Sequence, residues 1–486
     1  MLTWVLRNGV ARAAVVAGMV GVGLPSAASA MSLEEAIEIA IETNPEVAAA
    51  SGNRRAIGQE LRQARSFYLP QLSVSAEAGP ARINDSSTRA TGGDEYVTGS
   101  REVYQATLRQ RLFDGFETDS QVARDKARLR SAAFSVYDTA EFLALDVANQ
   151  YLEVQRQREL LEIARDNVAV HEETLGLVRD RLDRGAGSTA DVSQTQARLF
   201  QARSTVTERQ RELRDALARF QRLVGQPPGE LQEVAALDDA LPANERAALE
   251  VAVDNNPNIR ARQADVEAAE ARIGVAESDL YPDVNLEAQS IYRDDTDSIQ
   301  SYEREHRLML QFEWTLFAGG RNVASRNEAI ERASQARAER MTTMREVREE
   351  LRRSWNALRE TRRRVREQRQ VVEANRETRN AYRDQFQVGQ RTLLDVLDAE
   401  NELFTARGQL ATARVNRKFA TYRIVALTGN LMPTLGVEPP ATATPEAPGF
   451  TETLIPDSPG PESSGRDASA ETGETVENGT TDASAE

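Results

Sequence analysis

Two aspartates, Asp395 and Asp398, are the side chains in this sequence whose type and spacing most invite chemistry. Carboxylates one helical turn apart share a helix face and together can gather cations. Thr392 and Asp395 also fit an S/T-x-x-acid capping box, and Ser188 and Asp191 repeat it, so Asp191 and Asp395 each have a structural task at a helix start. Asp398 lies a turn further in, and its counterpart in the earlier copy is the neutral Gln194; capping does not account for it. What is missing narrows the chemistry further. The chain has no cysteine and two distant histidines, His171 and His306, so disulfides, thiolate nucleophiles and Cys/His zinc sites have nothing to be built from. No HExxH, GxSxG or P-loop pattern occurs. A carboxylate-only metal or hydrolase site is all that this leaves open, so an enzyme is not expected, nor a cofactor.

The aspartates sit in FQVGQRTLLDVLDAENEL, which reads as a tight turn between two long helices, with Gly389 as the C-terminal stop and Thr392 as the next N-cap. The same turn occurs earlier as LDRGAGSTADVSQTQARLF, where Gly185, Asp191, Val192, Leu199 and Phe200 match Gly389, Asp395, Val396, Leu403 and Phe404 at a constant offset of 204. Gly185, Gly187 and Gly389 mark the two turns. The chain is a duplicated hairpin. A run without proline from about Thr118 to Arg184 would be a helix on the order of 100 Å long. Its lower half carries Leu161, Ala164, Val168, His171, Leu175, Val178 and Leu182 at heptad spacing, a seam that needs a partner helix. His171 is expected to interrupt that seam where it borders solvent, and His306 to sit at a strand edge on the surface.

Upstream of each hairpin the copies match again. Asn44-Pro45 and Asn256-Pro257 lie 212 residues apart, as do Pro70 and Pro282. After each of these later prolines the period changes from 3.6 to 2. Leu72, Val74, Ala76 and Ala78 alternate with polar residues, and so do Tyr104 to Leu112, Val284 to Ala288 and Leu308 to Leu316. The paired strands are expected to be joined by polar loops over 79–101 and 294–305. Residues 1–30 carry Arg7 and Arg12, an apolar run and Ala28-Ser29-Ala30, which reads as a secretory signal peptide. The expected organisation is a signal peptide at 1–30, a first repeat at 31–225, a linker at 226–243, a second repeat at 244–436 and a disordered acidic tail at 437–486. Of the net charge of −16, the tail supplies −10, from eleven acids and Arg466. Lysine occurs only at 126 and 418, which reflects coding bias better than a polyanion site, and no nucleic-acid partner is expected.

Each strand has about the 9–11 residues that cross a bilayer when tilted. Four strands cannot stand alone in hydrocarbon, because open edges leave backbone groups unsatisfied. The smallest closed membrane barrels have about eight strands, so chains must pool theirs, and three chains would make twelve. The fold class is mainly α with membrane β, and a hollow oligomer of this kind is a conduit. A trimeric adhesin-like stalk also combines strands with coiled coil, but gives no reason to duplicate a strand-pair-plus-hairpin unit.

Over residues 32–432 the sequence resembles the TolC family of outer-membrane efflux channels. The two Asn-Pro openings, the Phe-x-Gly entries at Phe113 and Phe317, and VGQRTLLDVLDAENEL carry the resemblance. It implies a homotrimer sharing one 12-stranded barrel in the outer membrane, continued into a periplasmic α-helical barrel. The tips near 184–191 and 386–395 would meet a periplasmic adaptor and an inner-membrane pump, with export by efflux or type I secretion. It further implies a constriction ring at Asp395 and Asp398 with coupled, partly raised pKa values, and closing links through Arg391, Asp191 and a tyrosine at the position of Phe386. Phe386 departs from that pattern by lacking the hydroxyl.

Overall fold

The computed structural model describes residues 30–84, 86, 89, 96–295 and 301–446. Residues 1–29 of the expected signal peptide and the tail from 447 onward lie outside the described residues. Helices α1 (Leu33–Thr43) and α2 (Pro45–Ser66) meet at Asn44, whose side chain accepts from the Glu46 amide at 2.8 Å. Helices α5 (Glu245–Asn255) and α6 (Pro257–Ser278) meet in the same way at Asn256, which accepts from Ile259 at 3.1 Å. Proline loses no hydrogen bond at the first helical position and the asparagine caps it, so Asn-Pro ends one helix and launches the next.

The long helices α3 (Glu117–Asp183) and α7 (Arg321–Gln387) have 67 residues each, and α4 (Thr189–Val224) and α8 (Leu393–Leu427) return alongside them. Each long helix leaves its strand through a left-handed turn. At the first, φ is 63° at Gly115 and 65° at Phe116, the latter a non-glycine residue in a conformation that favours glycine; Gly319 and Gly320 take these places in the second copy.

Between helices lie β1 (Gln71–Ile83), β2 (Val97–Phe113), β3 (Asp283–Asp295) and β4 (Ser301–Glu313), one antiparallel sheet in sequence order. The strands reach further into the expected loops than the hydrophobic alternation does, because a ladder needs only backbone pairs and persists where both faces are wet. β4 ends at Glu313, short of the expected Leu316. There the Trp314 indole turns to donate to the Leu280 carbonyl at 3.2 Å. Leu72, Val74, Leu308, Leu310 and Phe312 share one face and are largely exposed in the protomer, Val74 to 74%. The opposite face is polar, with Arg109 and Glu287 paired at 3.0 Å.

The largest apolar cluster joins α1, α3, α4 and α8, including Ile37, Leu152, Phe220 and Tyr422. Residues 226–243 do more than link the repeats: they lie across the long helices. The Tyr151 hydroxyl donates to Gln232 at 2.9 Å and to Met31 at 2.7 Å, and the Tyr422 hydroxyl to Ala235 at 3.0 Å. The expected start of the disordered tail needs moving. Residues 437–446 pack on the helices, with Val437 and Ala443 buried, Ser51 and Thr442 hydroxyls 2.7 Å apart, and Arg54 donating to the Thr444 carbonyl at 3.3 Å. Composition concealed this, since two small apolar side chains and backbone carbonyls suffice to anchor a proline-rich strap.

Candidate functional site

Both hairpin tips close by the same backbone device. The Ala186 amide bonds Arg181 O at 2.9 Å and the Gly185 amide Leu182 O at 2.9 Å; the Gln390 and Gly389 amides bond Gln385 O at 2.8 Å and Phe386 O at 3.0 Å. These are Schellman closures, with Gly185 at φ 73° and Gly389 at φ 79° in the left-handed region they require. Gly187 serves differently: a Cβ there would lie 2.9 Å from the Leu182 nitrogen. Each return helix then starts with a complete capping box. Ser188 Oγ accepts from the Asp191 amide at 3.1 Å while Asp191 accepts from the Ser188 amide at 3.2 Å, and Thr392 with Asp395 reproduces the exchange at 3.3 and 3.2 Å.

Asp395 and Asp398 follow on the first turns of α8, and each has an arginine. Arg391 lies 3.9 Å from Asp395, and Arg198, on α4, lies 3.3 Å from Asp398. The Thr392 hydroxyl and amide, helped by Arg391, hold the Asp395 carboxyl below the usual carboxylate range. Arg391 itself donates to Gln385 at 3.0 Å and stacks over the Tyr382 ring, 4.2 Å from its centroid. Within the described protomer no hydrogen bond or ion pair joins Arg391 to Asp191, so the site residues fall into separate local groups.

Phe386 points inward. It is buried with Val178, Leu393, Val396 and Leu397, and Arg181 covers its ring at 4.6 Å while donating to its carbonyl at 2.5 Å. A ring in this place is occupied by packing, and Tyr382, one turn earlier, is the tyrosine that meets Arg391. Sequence reasoning passed over Tyr382, Arg181 and Arg198. For Tyr382 the signal was present, since it lies four residues before Phe386 on the same helix face; Arg181 and Arg198 act across hairpins and left no local mark. His171 was expected to border solvent and is instead 5% exposed with its Nδ1 unpartnered. Burial, with Arg198 beside it, holds the imidazole below its ordinary pKa. His306, by contrast, is exposed on β4.

No helix among the described residues is long and apolar enough to cross a membrane, and no group of acids and histidines there could hold a metal. The exposed apolar face formed by Leu72, Val74, Leu308, Leu310 and Phe312 belongs to the sheet. Known proteins place this architecture. The outer membrane efflux protein BepC of Brucella suis biovar 1 is 26% identical over 423 residues, covering 87% of this chain and 90% of BepC. The alkaline protease secretion protein AprF of Pseudomonas aeruginosa is 25% identical, covering 82% of this chain and 84% of AprF. The crystal structure of the outer membrane protein VceC of Vibrio cholerae superposes with a TM-score of 0.70 at 20% identity, over 82% of this chain and 96% of VceC. The model of the family described as outer membrane efflux protein matches residues 36–226 and 248–430, one segment in each repeat. Those two segments hold the strands, the hairpins and both tips, and the chain belongs to the outer membrane efflux protein family.

Proposed function

We propose that three copies of this chain join their sheets edge to edge into one twelve-stranded outer-membrane barrel. Their hairpins continue beneath it as a periplasmic helical barrel that serves as the exit duct of a tripartite efflux or type I secretion system. One observation carries this reading: a four-stranded sheet with β1 and β4 at its edges and a solvent-exposed apolar face, continuous with helical hairpins. Such a sheet is stable in hydrocarbon only when its edges are paired and that face meets lipid. The chain is a channel and not an enzyme. A periplasmic adaptor and an inner-membrane pump supply cargo selectivity and energy, and the tips at Arg184–Asp191 and Phe386–Asp395 meet the adaptor. The relatives include a protein named for protease secretion and another named for efflux, so the duct accommodates cargo chosen elsewhere.

In this reading the closed tip is the gate, Asp395 and Asp398 form its acidic ring, and Arg391 restrains it through Tyr382 and Gln385 in its own hairpin and Asp191 of a neighbouring one. Purified protein in detergent should have the mass of a trimer, and planar bilayers should record discrete channels that multivalent cations block from the periplasmic side. Asp395→Ala/Asp398→Ala should abolish the block, and Arg391→Ser should raise conductance severalfold. A stable monomer, or no conductance, would overturn the duct; unchanged block in the double variant would remove the acidic ring from it.

A further inference from the structure

Asp398 and Glu402 are four residues apart on α8, a like-charge spacing that a helix tolerates poorly. The corresponding positions on α4 carry Gln194 and Arg198. The two return helices thus differ by a swap of charge at one level, and the structure joins the odd members: Arg198 Nη2 donates to Asp398 Oδ1 at 3.3 Å. Among the described residues this is the cation in contact with Asp398. Burial and the charge of Arg198 together hold the imidazole of buried His171, on α3, below its ordinary pKa. The aspartate remains 55% exposed and Arg198 35%, so the pair is wet, and the aspartate is shared between its arginine and solvent.

We propose that Arg198 is the residue that sets the cation affinity of the acidic ring, by neutralising Asp398 from the neighbouring return helix. The inference rests on the reading that Asp398 lines the constriction. With Arg391 beside Asp395 and Arg198 beside Asp398, a protomer contributes two acids and two arginines at the tip rather than two bare acids. Removing Arg198 uncovers one carboxylate per protomer and deepens the ring potential for a multivalent cation.

The test is single-channel recording of the assembled trimer with Mg²⁺ titrated from the periplasmic side, in wild type, Arg198→Gln, Arg198→Lys, Asp398→Asn and the Arg198→Gln/Asp398→Asn double variant. Arg198→Gln should lower the half-blocking Mg²⁺ concentration by on the order of tenfold at low salt, an effect that shrinks as salt rises. Arg198→Lys should retain wild-type block, Asp398→Asn should weaken it, and the Arg198 substitution should change nothing once Asp398 is neutral. Weakened block in Asp398→Asn together with wild-type block in Arg198→Gln would overturn the role of Arg198 and leave the acidic ring standing. Unchanged block in Asp398→Asn would remove the ring and this inference together. If Arg198→Gln does not assemble, Arg198→Met takes its place beside Arg198→Lys: a lower half-blocking Mg²⁺ concentration in Arg198→Met than in Arg198→Lys supports the proposal, and equal block in the two would overturn it.

Discussion

Helices α3 and α7 have the same length and matching positions in the two repeats, yet α3 buries 26 of its 67 residues and α7 buries 11. Leu152 on α3 is fully buried, and its counterpart at the offset of 204 is the exposed Asn356. α3 is packed by α1, α2, α4, α6 and α8, whereas α7 has α5, α6 and α8, and its remaining surface is rich in arginine and glutamate. Duplication therefore supplied one backbone twice, and the neighbours of each copy decided its side chains.

The largest effect should come from the core of the buried helix. Leu152→Ala should cost about 3 kcal/mol by losing apolar burial and leaving a cavity, whereas Asn356→Ala should stay within about 0.5 kcal/mol. Urea denaturation of the two variants in detergent compares them directly, and equal losses would break the asymmetry. The strand-to-helix turns sharpen it. Gly115 and Gly319 both have φ 63°, but a Cβ on Gly115 would lie 2.8 Å from the Ser278 carbonyl oxygen and one on Gly319 meets nothing within 4 Å. Gly319→Ala should therefore cost about 1 kcal/mol, from backbone strain alone, and Gly115→Ala about 3 kcal/mol.

A titratable contrast follows. Glu141 on α3 is 1% exposed and accepts the Leu431 and Met432 amides at 2.5 and 3.1 Å; its counterpart on α7 is Arg345. Burial pushes the Glu141 carboxyl up to about 7, against the two amides, and half-buried Asp138 nearby is raised to about 6. A carboxyl whose folded pKa lies above its unfolded value binds more protons in the native state. Its stabilisation is complete below the unfolded carboxylate range and is lost as pH rises through about 7. Stability should fall between pH 5 and 8 by on the order of 2 kcal/mol from this group, and Glu141→Gln should flatten that part of the profile. An unchanged slope in Glu141→Gln would assign the pH dependence elsewhere. The smallest effect tests where the copies agree: Ser188→Ala and Thr392→Ala should each cost about 1 kcal/mol, because both capping boxes are complete.

Features decided within a few residues were legible in the chain. The Asn-Pro junctions, the glycine stops at 185 and 389, both capping boxes and the alternating strands are all set by contacts between near neighbours. The exposed apolar alternation also demanded lipid and closure, since no rearrangement of four strands could hide it. The ends of the strands were less legible, because backbone pairing outlasts the hydrophobic pattern that reveals it. So was the strap at 437–446, whose composition is that of a loose tail.

The candidate site divides along the same line. Asp395 could be assigned to Thr392 from spacing, as the two are three residues apart. Phe386 could not be turned inward, nor Tyr382 set beneath Arg391, without the packing of Val178 and Arg181 from the other hairpin. The link between Arg198 and Asp398 spans 200 residues. Its partners differ from their duplicated counterparts, so neither repeat foretells it. A cap is written into one turn of helix, but a charge pair between hairpins exists only where two long helices, folded separately, come to lie side by side.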